Sequence, residues 1–204
     1  MELSDAIRGR RMTRAFTGEP VEPDVVDELA ALALRAPSAG NTQGRDLVVL
    51  TQVAHRSRFW EAATDEAWRQ RSRRFAGLSR APVVVLAVAD PEAYDARYRE
   101  PDKDEAAGTS GWPVPYWHVD AGFVALQLLL LAEDAGLGAA FLGNFRNEEA
   151  VKDAFGIPPA MAWTGTVLLG HRAPDDPPSA SLARGRRAVD DAVHRGGWQG
   201  GHAE

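Results

Sequence analysis

Apolar and polar positions along the chain fall into blocks of changing period, and each change marks an element. Residues 4–8 put Leu3, Ala6 and Ile7 on one side of a short helix that Ser4 can cap and Gly9 can end. A second helix is predicted from Pro23 to about Arg35, with proline in its first turn and Val25, Val26, Leu29, Leu32 and Ala33 as its buried stripe. Residues 46–51 read as a strand, and residues 52–74 as mostly helix with Phe59, Trp60 and Ala63 inward. Residues 80–89 are apolar without alternation, which places this strand centrally in a sheet covered on both faces.

The block from 116 to 145 organises the rest. Its first part is a helix with Val119, Phe123, Leu126, Leu130 and Leu131 on one face and Ala121, Val124, Leu128 and Leu129 on the opposite one. A helix apolar on all sides must be buried on all sides, in a large core or against a second subunit. Gln127, Glu133 and Asp134 make it too polar and too short for a membrane span. Gly136 stops it, and residues 139–142 form a short strand ending at Gly143-Asn144, where bare backbone reaches an edge that a ligand can approach.

Before this block, residues 90–114 are a long polar excursion, expected to be unstructured and to act as a lid or mobile loop. After it, Asn147 can cap a helix that Gly156 closes, and residues 161–170 form the last strand. A proline-rich linker (174–181) leads into an arginine-rich tail, so that 174–204 reads as a C-terminal arm of one domain spanning 1–204. Strands and helices alternate, which fits either α/β or α+β.

Composition narrows the function classes. The 204 residues are 45% hydrophobic and 25% charged, include no cysteine, and carry a formal net charge of −6. Disulfides, thiolate metal sites and a cysteine nucleophile are excluded, and the acidic balance argues against nucleic-acid binding. The polar N-terminus has no signal-peptide pattern, so a cytoplasmic protein with no membrane association is expected.

No nucleophile elbow, Walker loop or dinucleotide-binding glycine motif is present, and His118 and His194 lack partners at metal-ligand spacing. No catalytic side chain and no metal site is therefore assigned. Two arginine clusters remain, Arg10, Arg11 and Arg14, then Arg184, Arg186 and Arg187. Guanidinium forks match phosphate geometry, so the clusters either clamp one phosphomonoester or carry charge at solvated termini. The loop 37–43 offers Ser38, Asn41, Thr42 and Gln43, groups suited to a heterocycle's polar edge or to an ordinary turn.

In sequence order these segments resemble the FMN-dependent nitroreductase-like family. The matching features are Arg10-Arg11-x-x-Arg14-x-Phe16, Ala36-Pro37-Ser38 followed by Asn41-Thr42-Gln43, the long helix ending Gly136-Leu137-Gly138, and the basic tail with Val193-His194 and Trp198. The resemblance covers nearly the whole chain. It implies an α+β sandwich, with a mixed central sheet flanked by helices and the long central helix at a homodimer interface, where FMN lies between subunits.

By that resemblance Arg10, Arg11, Met12 and Arg14 contact the phosphate, ribityl chain and pyrimidine edge. Pro37, Ser38, Asn41 and Gln43 reach the flavin from the other subunit. Leu142, Gly143 and Asn144 pass behind the ring with a backbone N–H near N5, and Arg184, Arg186 and Arg187 complete the phosphate clamp. The implied reaction is ping-pong: NAD(P)H reduces the flavin, which then reduces a nitroaromatic, quinone or similar acceptor. Flavin carries the electron chemistry and protein supplies binding and electrostatics, consistent with the absence of an acid–base residue.

The chain departs from the family pattern at Gly44 (often Pro), Met12 (often Ser) and Asn144 (often Gly), which leaves the substrate open. Trp112, Tyr116 and Trp117 either stack on an aromatic substrate or pack in the core. Rival readings are a flavin carrier or sensor without turnover, a relative that uses a deazaflavin or acts on flavin itself, and a phosphate-binding module without flavin.

Overall fold

Among the described residues four strands, β1 (Arg45–Leu50), β2 (Val83–Ala89), β3 (Gly138–Gly143) and β4 (Ala162–Gly170), form one sheet in the order β1-β2-β4-β3. The computed structural model describes residues 1–103, 108–143, 147–176 and 178–198. Neighbouring strands are antiparallel, and a parallel bridge joins Met12 to Ala139 at the β3 edge. Every residue of β2 is buried, as its unbroken apolar run predicts.

Strand alternation divides the interior in two. On one face Val83, Val85, Val167 and Leu169 meet α2 (Pro23–Ala33) and α7 (Tyr116–Asp134). On the other, Val84, Leu86 and Leu168 meet α3 (Val53–Ala63) and α8 (Glu148–Phe155) through Phe59, Trp60 and Val151. The remaining helices are α1 (Leu3–Gly9), α4 (Glu66–Arg71), α5 (Phe75–Leu78) and α6 (Pro91–Arg97). This is the α+β sandwich expected. Among the described residues no helix is long and apolar enough to cross a membrane.

The stop of α7 follows its glycine: Gly136 lies at φ 72°, and Leu137 N donates to Ala132 O at 2.7 Å. Among the described residues only one side of α7 is covered. Ala121, Val124, Leu128 and Leu129 are buried, whereas Phe123 and Leu126 are 42% and 47% exposed. The expectation of burial on all sides is thus unmet within one chain.

Other boundaries differ for local reasons. Glu2 rather than Ser4 precedes α1, and its carbonyl takes the Asp5 and Ala6 N–H groups. The helix expected over 52–74 breaks at Thr64, and Asp65 restarts it by accepting from Trp68 N at 2.6 Å. Asn147 precedes α8 in a left-handed conformation, without a side-chain cap. The excursion 90–114 is not unstructured throughout, because Asp90 caps α6 by accepting from Glu92 N and Ala93 N. Asp90-Pro91-Glu92 is a cap, a first-turn proline and a first-turn acid, a signal hidden in a run of charge.

Candidate functional site

The first arginine cluster leads into a segment that lies along the outer edge of β3. Thr13 N donates to Ala139 O at 2.8 Å, Phe141 N donates to Met12 Sδ at 3.3 Å, and the buried Phe16 bridges Arg172. The approach requires Gly138, since a Cβ there would stand 2.5 Å from Thr13 Oγ1 and 2.6 Å from Arg172 Cγ. Alternation along an edge strand turns the N–H of Gly143 the same way as that of Phe141. Strand-end backbone therefore faces outward where a ligand was expected.

A buried carboxylate sets the shape of this segment. Asp176 accepts from Arg14 N at 2.9 Å, Ala15 N at 2.8 Å and Arg11 Nη1 at 2.5 Å, and its side chain is fully buried. Arg11 is thereby committed to an internal partner, while Arg10 has part of its surface in solvent. Sequence reading missed Asp176 because it stands among prolines in what reads as a linker. No periodicity marks an acid that works by capping backbone N–H groups far away in sequence.

Between this edge and the helices α3–α5 lies a cavity of about 600 Å³. Met12, Phe141, Leu142 and Gly143 form one wall. Trp163 and Thr166 of β4 form its base, and Phe59, Trp60 and Trp68 face them from the helices. A Cβ on Gly165 would stand 2.4 Å from the Phe141 ring, so the glycine lets that ring lie over β4. Charge enters through Arg14, Arg74 and Asp65. Burial and then the neighbouring Arg74 guanidinium hold Arg14 below the usual arginine value, with Asp176 opposing. Arg74 and Asp65 were not among the residues singled out from sequence, since each sits in a stretch dense with charge.

These walls suit a flavin. The volume lies in the range of small-molecule sites, and most of the lining is apolar or aromatic, as a fused ring needs. A flavin's pyrimidine edge presents acceptor, donor and acceptor in turn, and two guanidiniums with one carboxylate supply the complementary set. Thr166 Oγ1 and Trp60 Nε1, both buried, have no hydrogen-bond partner among the described residues.

The cavity brings together Met12, Arg14, Leu142 and Gly143 of the residues expected from sequence. None of the other described residues expected from sequence lines it. Pro37, Ser38, Asn41 and Gln43 stand before β1, at the same end of the sheet but on its opposite edge and packed against α7. Three strand spacings, about 14 Å, separate the two edges. Trp112 and Trp117 stack with centroids 6.4 Å apart, and Tyr116 meets Trp112 edge-on at 5.3 Å, in a cluster with Tyr94 and Tyr98. Arg184, Arg186 and Arg187 are exposed on the C-terminal arm, and none of them lines the cavity. Asn144 lies outside the described residues.

Known proteins carry the same plan. The sequence pattern of the nitroreductase family matches residues 7–171. An NADH dehydrogenase of Thermus thermophilus is 29% identical, over 89% of this chain and 92% of its own. An FMN reductase [NAD(P)H] of Bacillus subtilis is 24% identical, over 84% of this chain and 66% of its own. Among solved structures, a nitroreductase family protein from Streptococcus pneumoniae superposes with a TM-score of 0.73 at 21% identity, covering 95% of this chain and 100% of that one. With sequence pattern and fold in agreement across the sheet, the long helix and the β3 edge, this chain belongs to the nitroreductase family.

Proposed function

We propose that the cavity at the β3 edge binds FMN, and that the protein passes electrons from NAD(P)H to an electron-poor acceptor such as a nitroaromatic or quinone. Family membership makes the chain a flavin-dependent NAD(P)H oxidoreductase; similar proteins are named an FMN reductase and an NADPH-flavin oxidoreductase. Bound FMN would supply the redox chemistry, with donor and acceptor visiting in turn. The observation that carries the proposal is the pair Arg14 and Arg74 in an aromatic-walled cavity beside outward-facing strand backbone.

The chain's own contribution is binding and electrostatics. Two guanidiniums at the pyrimidine edge favour negative charge there, and Gly143 offers its N–H without a Cβ in the way. Arg10, Arg184 and Arg186, with Arg187, would hold the phosphate, while Arg11 acts through Asp176.

A homodimer completes the site. Phe123 and Leu126 on α7 and Leu3 and Ile7 on α1 are exposed apolar side chains, as are Leu182, Val189, Val193 and Trp198 on the arm. A second copy over α7 would cover such a surface. It would also carry the loop 37–43, with Trp112, Tyr116 and Trp117 for an aromatic acceptor, to the partner's cavity. A cytoplasmic location, with soluble nicotinamide as donor, goes with this reading.

The test is the visible spectrum of the purified protein before and after anaerobic NADPH or NADH, followed by addition of the acceptor. A yellow protein that bleaches and recolours is the expected result. Colourless protein that ignores added FMN would overturn the cofactor assignment. The double variant Arg10→Ala with Arg186→Ala should lose FMN and stay a folded dimer, and full flavin retention would refute the phosphate clamp.

A further inference from the structure

The loop between α2 and β1 holds an unusual backbone. Gly40, Asn41 and Gln43 have φ of 60°, 52° and 57°, and Asn147 is the other non-glycine residue with positive φ among the described residues. Strain of this kind persists only where surrounding contacts over-determine it. The loop ties part of itself down: Gln43 N donates to Ser38 Oγ at 3.0 Å, and Thr42 Oγ1 donates to Ala39 O at 2.6 Å.

Two residues from distant elements hold the rest. Asp120 of α7, 2% exposed, accepts at the same Oδ2 from Ala39 N and from the Tyr94 hydroxyl, each at 2.8 Å. Arg97, the last residue of α6, donates through Nε to Gly40 O at 2.9 Å. Its two terminal nitrogens are fixed on Asp102 at 2.6 and 2.7 Å. The Tyr98 ring closes over Gly40, where a Cβ would meet it at 2.9 Å. With the backbone of residues 39–40 clamped from both sides, the side chains of Asn41 and Gln43 are left exposed.

We propose that Arg97 and Asp120 are positioning residues that fix the left-handed loop 38–43, so that it presents Asn41 and Gln43 to the flavin. The inference rests on the flavin reading above. Neither residue lines the cavity, and each acts through the loop's backbone. The base of the 90–103 segment is then a clamp on this loop. Arginine is required at position 97, because its Nε and terminal nitrogens bind Gly40 O and Asp102 together. A lysine ammonium is a point donor and can serve one of the two sites at a time.

The test uses the full-length protein with Arg97→Ala, Arg97→Lys, Asp120→Ala and Asp120→Asn. Hydrogen exchange at the amides of residues 39–43, measured without flavin, reads the clamp. FMN affinity by fluorescence titration, and kcat against KM for the acceptor at saturating FMN, read the presentation. Arg97→Ala should speed exchange and weaken FMN binding by roughly tenfold, the size expected for losing one hydrogen bond from a charged donor. Arg97→Lys should fall between it and the wild type. Asp120→Asn, which keeps an acceptor oxygen, should rescue most of the loss seen in Asp120→Ala.

Unchanged exchange in Arg97→Ala would overturn the clamp. Faster exchange with unchanged FMN affinity and unchanged KM would overturn the presentation role. A wild type that binds no FMN would overturn the flavin reading and the presentation role together, and the exchange data would still report on the clamp separately.

Discussion

Asp176→Ala removes one carboxylate and strands three donors, the N–H groups of Arg14 and Ala15 and the Arg11 guanidinium. A partly buried backbone N–H left without an acceptor costs about 1–2 kcal/mol, the lower part of the range for a fully buried one, so the pair contributes about 2–4 kcal/mol. Arg11 is 38% exposed and regains water, so its lost ion pair adds at most about 1 kcal/mol. Asp176→Asn keeps one oxygen for the two N–H groups and loses only the charge. It should therefore be about 2–3 kcal/mol more stable than Asp176→Ala. Urea unfolding of the flavin-free protein at fixed protein concentration measures both.

FMN binding separates the two variants again. Asp176→Asn removes a negative charge near Arg14 while keeping the segment in place, so it should bind FMN as tightly as the wild type or more tightly. Asp176→Ala lets the segment shift and should bind it more weakly. If the two variants agree within about 0.5 kcal/mol in stability and bind FMN alike, the carboxylate does not shape this segment and the account fails.

Arg74→Ala removes an exposed cation that stands against a like charge, so stability should stay within about 0.5 kcal/mol while FMN affinity drops roughly tenfold; a calorimetric titration showing undiminished affinity would remove Arg74 from the site. Phe123→Asp with Leu126→Asp places two charges on the exposed face of α7 and should give a monomer that fails to retain FMN, as seen by light scattering and absorbance; a stable yellow dimer would place the interface elsewhere. Burial, with the bond to Asp120, raises the Tyr94 phenol above its ordinary value of 10.0. The folded chain therefore keeps this proton at a pH where the unfolded chain loses it, so the stability it contributes is complete below pH 10 and declines as pH rises beyond. Tyr94→Phe should flatten that part of the alkaline stability curve, and an unchanged slope would show that another group controls it.

The sheet and its covering helices were legible because their signals are periodic and local. The unbroken apolar run of β2, the stripe of α2 and the glycine after α7 each act within a few residues. The cavity was half legible: Met12, Arg14, Leu142 and Gly143 belong to segments with a recognisable order. Arg74 and Asp65 were hidden because both lie in residues 52–74, where charge is dense and a broken helix reads as a continuous one. Asp176 and Asp120 were hidden for another reason. Each satisfies backbone donors far off in sequence, 162 positions in the pair with Arg14 and 81 in the pair with Ala39, and such pairing leaves no local pattern.

The separation of the cavity and the loop 38–43 on opposite edges of one sheet has a genetic consequence. In the proposed homodimer, where one subunit's cavity meets the other's loop, a subunit damaged at Arg14 and another damaged at Asn41 would each form dead homodimers, but in a mixed dimer both defects would fall in one site and leave the other intact. With random pairing of equal amounts, half the dimers are mixed, so about a quarter of all sites should be whole. Two inactive alleles expressed together would then restore about that fraction of activity, whereas two alleles damaged on the same edge would restore none.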